Sequence, residues 1–211
     1  MSERMSLSPV EPSAPPAPLD EATALARRAA AGDLVATGQL LHQVAPRVTA
    51  VARAVLGPAH PDLDDAVQQS LIALLQALSA FRGECPAAAY AARITVRVAV
   101  AVRKRARVNR LRVESLEHEP ATRDSMAPSP SDLSSAERRK TLLRDLLADI
   151  PEEQAEALAM RAVLGWSLEE VATASGVPLN TVRSRVRLAK EALRRRIEAD
   201  PRLADELEVS P

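Results

Sequence analysis

The stretch from Ser167 to Leu193 has residue types and spacing suited to the recognition of DNA. Ser167 and Glu170 form a capping box, which satisfies free N–H groups at the start of a helix. Gly176 can take the positive φ that a tight turn requires. Apolar residues then recur at spacings of four, three and four: Val182, Val186, Ala189 and Leu193. The stretch is therefore interpreted as a helix-turn-helix.

The outward side of the second helix in this motif is polar and basic. A helix N-terminus offers N–H groups to phosphate, and guanidinium groups reach base edges in a major groove. A helical hairpin with a solvated charged face is the alternative, but the coincidence of cap, turn and basic face favours DNA binding. The candidate contact residues are Asn180, Thr181, Arg183, Ser184, Arg187 and Lys190.

A second basic block lies earlier in the chain. The 211 residues include 28 basic and 28 acidic side chains, so the total charge indicates no partner. From Arg82 to Arg112, however, nine basic residues stand against one acid, and from Pro178 to Ile197 seven stand against one. Two separate basic blocks in a neutral chain indicate two surfaces that face a polyanion.

The composition excludes several other classes of function. Cys85 is the single cysteine, and His42, His60 and His118 have no ligand-like spacing with it. We therefore expect no disulfide, metal site or cofactor, and no enzyme activity. Cys85 is interpreted as a small packing residue, and Trp166 as a residue of the core or of a corner. With no membrane-length apolar run and no signal peptide, the chain is expected to be cytoplasmic.

Helical periodicity predicts an all-α fold in two domains. Residues 1–19 are a Pro-rich tail, 20–112 the first domain, 113–134 a linker, 135–197 the second domain and 198–211 an acidic extension. In the first domain the predicted helices begin at Asp20, Asp33, Pro61 or Asp62, and Pro86.

The positions of Pro46 and of the apolar residues predict further features of these helices. Pro46 is expected to kink or divide the second one. In the third, Leu75 is placed on the inward stripe with Leu63, Val67, Leu71, Leu74 and Leu78. In the fourth, Ile94, Val98 and Val102 are placed on an inward stripe. Four helices are predicted in the second domain, near residues 135–150, 151–164, 167–175 and 179–197.

Several segments also resemble extracytoplasmic-function sigma factors, which belong to the sigma-70 family. The segments at 146–152, 164–172 and 182–186 look like region 4 of that family. The segment 64–69 resembles its region 2.2 helix, 81–84 the following loop, and 90–107 the regions that open and read the −10 element.

This resemblance implies a factor that binds core RNA polymerase and directs initiation at promoters. The β′ clamp helices would contact Asp64, Asp65, Gln68, Gln69 and Ile72. The −10 element would contact Phe81, Arg82, Tyr90, Arg93, Arg97, Arg103, Lys104 and Arg107, and the helix-turn-helix would read the −35 element. An anti-sigma partner is implied as well. The chain departs from the family at three positions, where Tyr90, Arg97 and Ala101 replace its usual Trp, Asn and Asp.

Two other classes remain open at this stage. One is a helix-turn-helix regulator that acts without polymerase, and the other is an interaction protein whose basic helices bind an acidic protein. A promoter-dependent transcript from purified core polymerase would distinguish a sigma factor from both of these classes. A steep salt dependence of binding would distinguish the two DNA-binding classes from the protein that binds an acidic partner.

Overall fold

The computed structural model describes residues 20–116 and 143–199, and all regular structure in these two ranges is helical. The predicted all-α class is therefore confirmed. The elements of the first domain are α1 (Glu21–Ala30), α2 (Leu34–Leu56), α3 (Leu63–Ala77), a short 3-10 helix (Leu78–Ala80) and α4 (Ala87–Leu116). Those of the second are α5 (143–149), α6 (Glu152–Val163), α7 (Leu168–Ser175) and α8 (Leu179–Glu198).

The predicted caps of the first two helices are confirmed. Asp20 Oδ1 accepts the N–H of Thr23 at 2.8 Å, and Asp33 Oδ1 accepts that of Ala36 at 2.9 Å. Pro46 does not divide α2, which continues through it to Leu56. Because Pro46 is exposed, water can hydrate the carbonyl that its ring leaves without a helical partner.

The helix α4 lies at the centre of the first domain. Its first N–H, that of Ala87, donates to the buried hydroxyl of Thr23 in α1 at 2.9 Å. The helix runs to Leu116, four residues beyond the domain end predicted at residue 112 and into the segment predicted as linker. Ile94 and Val102 are buried as their spacing predicts. A second side of the helix is buried too, through Val96, Ala99 and Val100.

The helix-turn-helix of the second domain is confirmed. The Ser167 hydroxyl accepts the Glu170 N–H at 3.0 Å, and the Glu170 carboxylate accepts the Ser167 N–H at 2.6 Å. Gly176 ends α7 with φ 66°, in the left-handed region. The inward side chains of α8 are buried as predicted, namely Val182, Val186, Ala189 and Leu193.

The two domains pack against each other. Buried residues of α2 and α4 belong to the same hydrophobic core as buried residues of α5, α6, α7 and α8. The sequence predicts two domains on a flexible tether and gives no sign of this contact. Most of the predicted linker, the tail 1–19 and residues 200–211 lie outside the described residues. In the described part of the chain, no helix is long and apolar enough to cross a membrane.

Candidate nucleic-acid interface

The helix α8 presents a continuous polar face to solvent. Its buried stripe faces the core, so the residues between the stripe positions point outward. Five of the six residues predicted for this face are exposed and Thr181 is half-buried; the exposed ones are Asn180, Arg183, Ser184, Arg187 and Lys190. The structure therefore brings together on one face the six residues predicted to contact the −35 element.

Two hydrogen bonds preorganise this face. Arg183 Nη1 donates to Asn180 Oδ1 at 3.2 Å, and Arg187 Nη1 donates to Glu191 Oε1 at 2.6 Å. Such exposed ion pairs contribute little stability, so a phosphate can replace Glu191 as the partner of Arg187 at small cost. The face can thus offer two guanidinium groups, a hydroxyl and an amide to one groove.

In the first domain, Phe81 and Tyr90 form a small aromatic cluster with Arg93. The two ring centroids are 5.1 Å apart, and the Arg93 guanidinium carbon lies 5.1 Å from the Tyr90 centroid. Phe81 is buried and Tyr90 is half-buried, so Phe81 supports the cluster and Tyr90 forms part of its surface. The Arg93 Nε atom is buried and has no hydrogen-bond partner in the described residues.

The other residues predicted to contact the −10 element differ in exposure. Arg82 and Arg97 are exposed, Lys104 and Arg107 are half-buried, and Arg103 is 8% exposed. Arg103 therefore does not lie on an open DNA-facing surface in this structure. The reason is its contact with the second domain, which the sequence did not predict.

The Arg103 guanidinium joins the two domains. It donates to the Leu56 carbonyl of the first domain at 2.7 Å and to Asp145 Oδ1 of the second at 3.0 Å. Its Nε also donates to the Arg144 carbonyl. Burial lowers the pKa of Arg103 from its ordinary value, and Asp145 opposes that shift. A guanidinium is not deprotonated in proteins, so the group remains a cation.

A cleft of about 670 Å³ lies between the basic side of α4 and the acidic start of α6. Arg97 lines one wall, and Glu152, Glu153 and Glu156 line the other. Burial raises the pKa of Glu156, as do the neighbouring glutamates, while Arg97 and Arg185 lower it. The carboxylates and the predicted DNA-binding arginines therefore face one another.

The helix α3 presents a separate mixed face. Asp64, Asp65, Gln68 and Gln69 are exposed, and Ile72 is 46% exposed. Leu75 was predicted on the inward stripe of α3, but its side chain is 39% exposed and adjoins Ile72 on this face. The predicted inward placement of Leu75 was therefore wrong. It lies three residues after Ile72, one helical turn further. An apolar residue at that spacing was the signal that could have placed it on this face.

Other residues with reactive side chains stay outside these surfaces. Burial raises the pKa of the half-buried Cys85 thiol, which disfavours the nucleophilic thiolate. Trp166 packs against the core at the turn between α6 and α7. Within residues 20–116 and 143–199, no group of three or more potential metal ligands comes together.

Comparison with protein-family models gives two matches. Residues 40–108 match "Sigma-70 region 2" and residues 140–193 match "Sigma-70, region 4". The first match includes α3 and most of α4, and the second includes the helix-turn-helix.

Comparison with curated proteins gives several relatives named "ECF RNA polymerase sigma-E factor". That of Salmonella typhimurium strain LT2 is 30% identical over 144 residues, which are 65% of this chain and 74% of the relative. Those of Escherichia coli K12 and Haemophilus influenzae are 29% and 30% identical over the same number of residues, covering 74% and 75% of the relatives.

A solved structure with a similar fold is CnrH, determined in complex with the cytosolic domain of CnrY. The likeness has a TM-score of 0.51 at 23% identity and covers 86% of this chain and 99% of CnrH. At this identity the match supports the all-α two-domain fold.

Proposed function

Since the chain belongs to the extracytoplasmic-function group of the sigma-70 family, we propose that its two domains divide polymerase binding and promoter reading between them. As a member of that family it is a non-enzymatic subunit that binds core RNA polymerase and directs initiation at specific promoters. The first domain, 20–112, is assigned to core polymerase and the −10 element. The second, 135–197, is assigned to the −35 element, with 113–134 as the linker between them.

The exposed face of α3 is the observation that carries this proposal. Asp65, Gln68 and Ile72 follow at i, i+3 and i+7 on one side of the helix. They offer a carboxylate, an amide and an apolar surface, all exposed, to the β′ clamp helices. Asp64, Gln69 and Leu75 extend the same contact. A helix-turn-helix regulator that acts alone has no need for such a second docking face.

The −35 element is assigned to the outward face of α8. Arg183, Ser184 and Arg187 are its best placed base or phosphate contacts, because they are exposed in the first half of a helix that can enter the major groove. The other members of this face are Asn180, Thr181 and Lys190.

The −10 element is assigned to the aromatic cluster and the basic side of α4. Tyr90 provides a stacking surface for a displaced base, and Arg93 carries the buried donor beside it. Arg97 stands where the family usually has an asparagine, which favours a phosphate contact or a changed base preference at that position. The remaining members are Phe81, Arg82, Arg103, Lys104 and Arg107.

The cellular setting follows from these partners. Core polymerase and promoter DNA are in the cytoplasm, so we place this chain there. Sigma factors of this group are commonly held inactive by an anti-sigma factor, and we propose that this chain has such a protein partner.

The test uses the purified full chain with core RNA polymerase and a promoter mapped by transcription start sites after overexpression. We expect co-elution with core and a promoter-dependent run-off transcript. Asp65→Arg should weaken core binding by about tenfold or more, which corresponds to about 1.4 kcal/mol. Glu169→Arg, a matched charge reversal at an exposed position on α7, should bind core normally. A chain that binds the promoter, but neither binds core nor yields a run-off transcript, would instead be a helix-turn-helix regulator that acts without polymerase.

A further inference from the structure

The helix α1 holds the loop that precedes α4, residues 81–86, at both of its ends. At the first end, Phe81 is buried in one hydrophobic core with Leu25 of α1. At the other end, the Ala87 N–H that begins α4 donates to the buried hydroxyl of Thr23 at 2.9 Å. The path of this loop therefore depends on α1 as well as on the helices that it connects.

The middle of the loop lies against the guanidinium of Arg27. Gly83 has a φ of 72°, and a Cβ at this position would lie 2.7 Å from both the Nε and the Nη2 atom of Arg27. The guanidinium therefore rests directly on the Gly83 backbone, where a residue without a Cβ leaves room for it. A cation is thus fixed beside the loop by a contact with the main chain.

The charge of Arg27 differs from that of the next residue in its surroundings. Arg28 Nη2 lies 2.6 Å from Asp33 Oδ2. Within residues 20–116 and 143–199, Arg27 forms no ion pair, not even with the loop residue Glu84, and its side chain is exposed. A guanidinium in this situation can bind a phosphate without first giving up a carboxylate.

The 81–86 loop adjoins the surface that the proposed function assigns to the −10 element. The ring centroids of Phe81 and Tyr90 are 5.1 Å apart, and Gly83 is at most about 7 Å along the backbone from Phe81. Sites for single strands combine an aromatic stacking surface with cations that follow the sugar-phosphate backbone. Tyr90 supplies the first of these features, and Arg27 supplies a cation next to it.

We propose that Arg27 is a further DNA-binding residue, which binds a phosphate of the displaced strand beside the base stacked on Tyr90. This inference rests on the proposed function of Tyr90 and α4. Arg27 lies outside the basic block from Arg82 to Arg112, so the charge pattern of the sequence does not identify it. The packing of α1 on the 81–86 loop brings it to this surface.

The experiment uses holoenzyme assembled from core polymerase and the full-length chain, and it compares the wild type with Arg27→Gln. The probe is a labelled single-stranded oligonucleotide with the non-template −10 sequence of the mapped promoter. We expect Arg27→Gln to lower the affinity about fivefold to tenfold, because a hydrogen bond between two charged groups is lost. The slope of log affinity against log salt concentration should decrease by about 0.7, the share of one phosphate in a single strand.

The matched control is Arg28→Gln, the same charge change at the next residue of α1. It should bind the oligonucleotide with nearly the affinity and salt slope of the wild type. Arg27→Lys keeps the charge and should retain most of the affinity, since an ammonium also binds phosphate.

A second probe has the same length and composition but a shuffled base sequence. Arg27→Gln should lower the affinity for it by the same factor as for the −10 sequence, because phosphate contacts carry no sequence information directly.

Wild-type affinity and salt slope in Arg27→Gln would overturn the phosphate contact, and so would equal losses in Arg27→Gln and Arg28→Gln. A loss confined to the −10 sequence, with an unchanged salt slope, would overturn it as well. If the wild-type holoenzyme binds the −10 oligonucleotide no more tightly than the shuffled one, the assignment of this surface to the −10 element fails instead. The two failures are therefore distinguishable.

Discussion

The hydroxyl of Tyr90 donates to the carbonyl of Ala77 at 3.1 Å and so ties the first turns of α4 to the last residue of α3. This hydrogen bond joins α3, the helix assigned to polymerase binding, to α4, the helix assigned to the −10 element. The Tyr90 ring also packs against that of Phe81, at an angle of 56° between the rings, and carries Arg93 over its face. One side chain thus holds two functional elements in a fixed relation.

Tyr90→Phe should remove that hydrogen bond and keep both aromatic contacts. We expect a loss of about 0.5–1.5 kcal/mol in the free energy of unfolding, because the Ala77 carbonyl loses one partner at a partly buried site. Urea unfolding measures it. Tyr90→Leu, which also removes the ring, should cost more; an equal cost for both variants would mean that the rings contribute nothing.

Leu75→Ser should weaken the binding of core polymerase, since Leu75 extends the apolar part of the α3 face beside Ile72. The expected loss is about 1 kcal/mol, roughly fivefold in affinity, for a leucine that is already partly exposed in the free chain. Leu34→Ser is the matched control, because Leu34 is an exposed leucine, 84% exposed, on a different helix, α2. Titration with labelled core measures both, and a similar loss in both variants would contradict the assignment.

Arg183→Ala should weaken recognition of the −35 element by about 1–3 kcal/mol if the guanidinium contacts a base. The reference is Arg195→Ala, an exposed arginine in the last turn of the same helix. Competition between the mapped promoter and variants of its −35 sequence, read from holoenzyme binding, gives the change in specificity. If Arg183→Ala lowers the affinity for all the −35 sequences equally, and reduces the slope of log affinity against log salt concentration by about one, the contact is to phosphate.

His60 lies beside Arg103 and Arg110 in the cavity between the domains. Burial lowers the pKa of His60 from its ordinary value of 6.5; the two arginines act in the same direction and Asp62 opposes them. The folded chain therefore binds this proton less tightly than the unfolded chain. The stability that His60 contributes is complete above its ordinary pKa and is lost as the pH falls through the lowered one.

Acidification from about pH 7.5 to about pH 5.5 should therefore reduce the free energy of unfolding less in His60→Gln than in the wild type. His42→Gln is the control, because His42 is an exposed histidine on α2. Urea unfolding at each pH provides the measurement. Identical pH profiles for the wild type and His60→Gln would exclude a role for this histidine.

Much of the interface for DNA could be predicted from local patterns. Ser167, Glu170 and Gly176 specify where α7 begins and ends, since capping and positive φ depend on neighbouring residues. The period of Val182, Val186 and Leu193 then assigns the remaining residues of α8 to the outside. On α3 the same reasoning placed Asp65 and Ile72 correctly and Leu75 wrongly, because both faces of that helix carry leucine or isoleucine.

The packing of the two domains against each other has no local signature in the sequence. Arg103 belongs to a run of arginines whose types and spacing are alike, yet it alone among the residues assigned to the −10 element is a buried cation bonded to Leu56, Arg144 and Asp145. That difference comes from residues more than forty positions away in sequence, which packing brings to one side of α4. Periodicity predicts which side of a helix is apolar, but it does not predict which distant segment packs against that side. The packing of the second domain on α4 therefore decides which arginines are buried and which remain exposed.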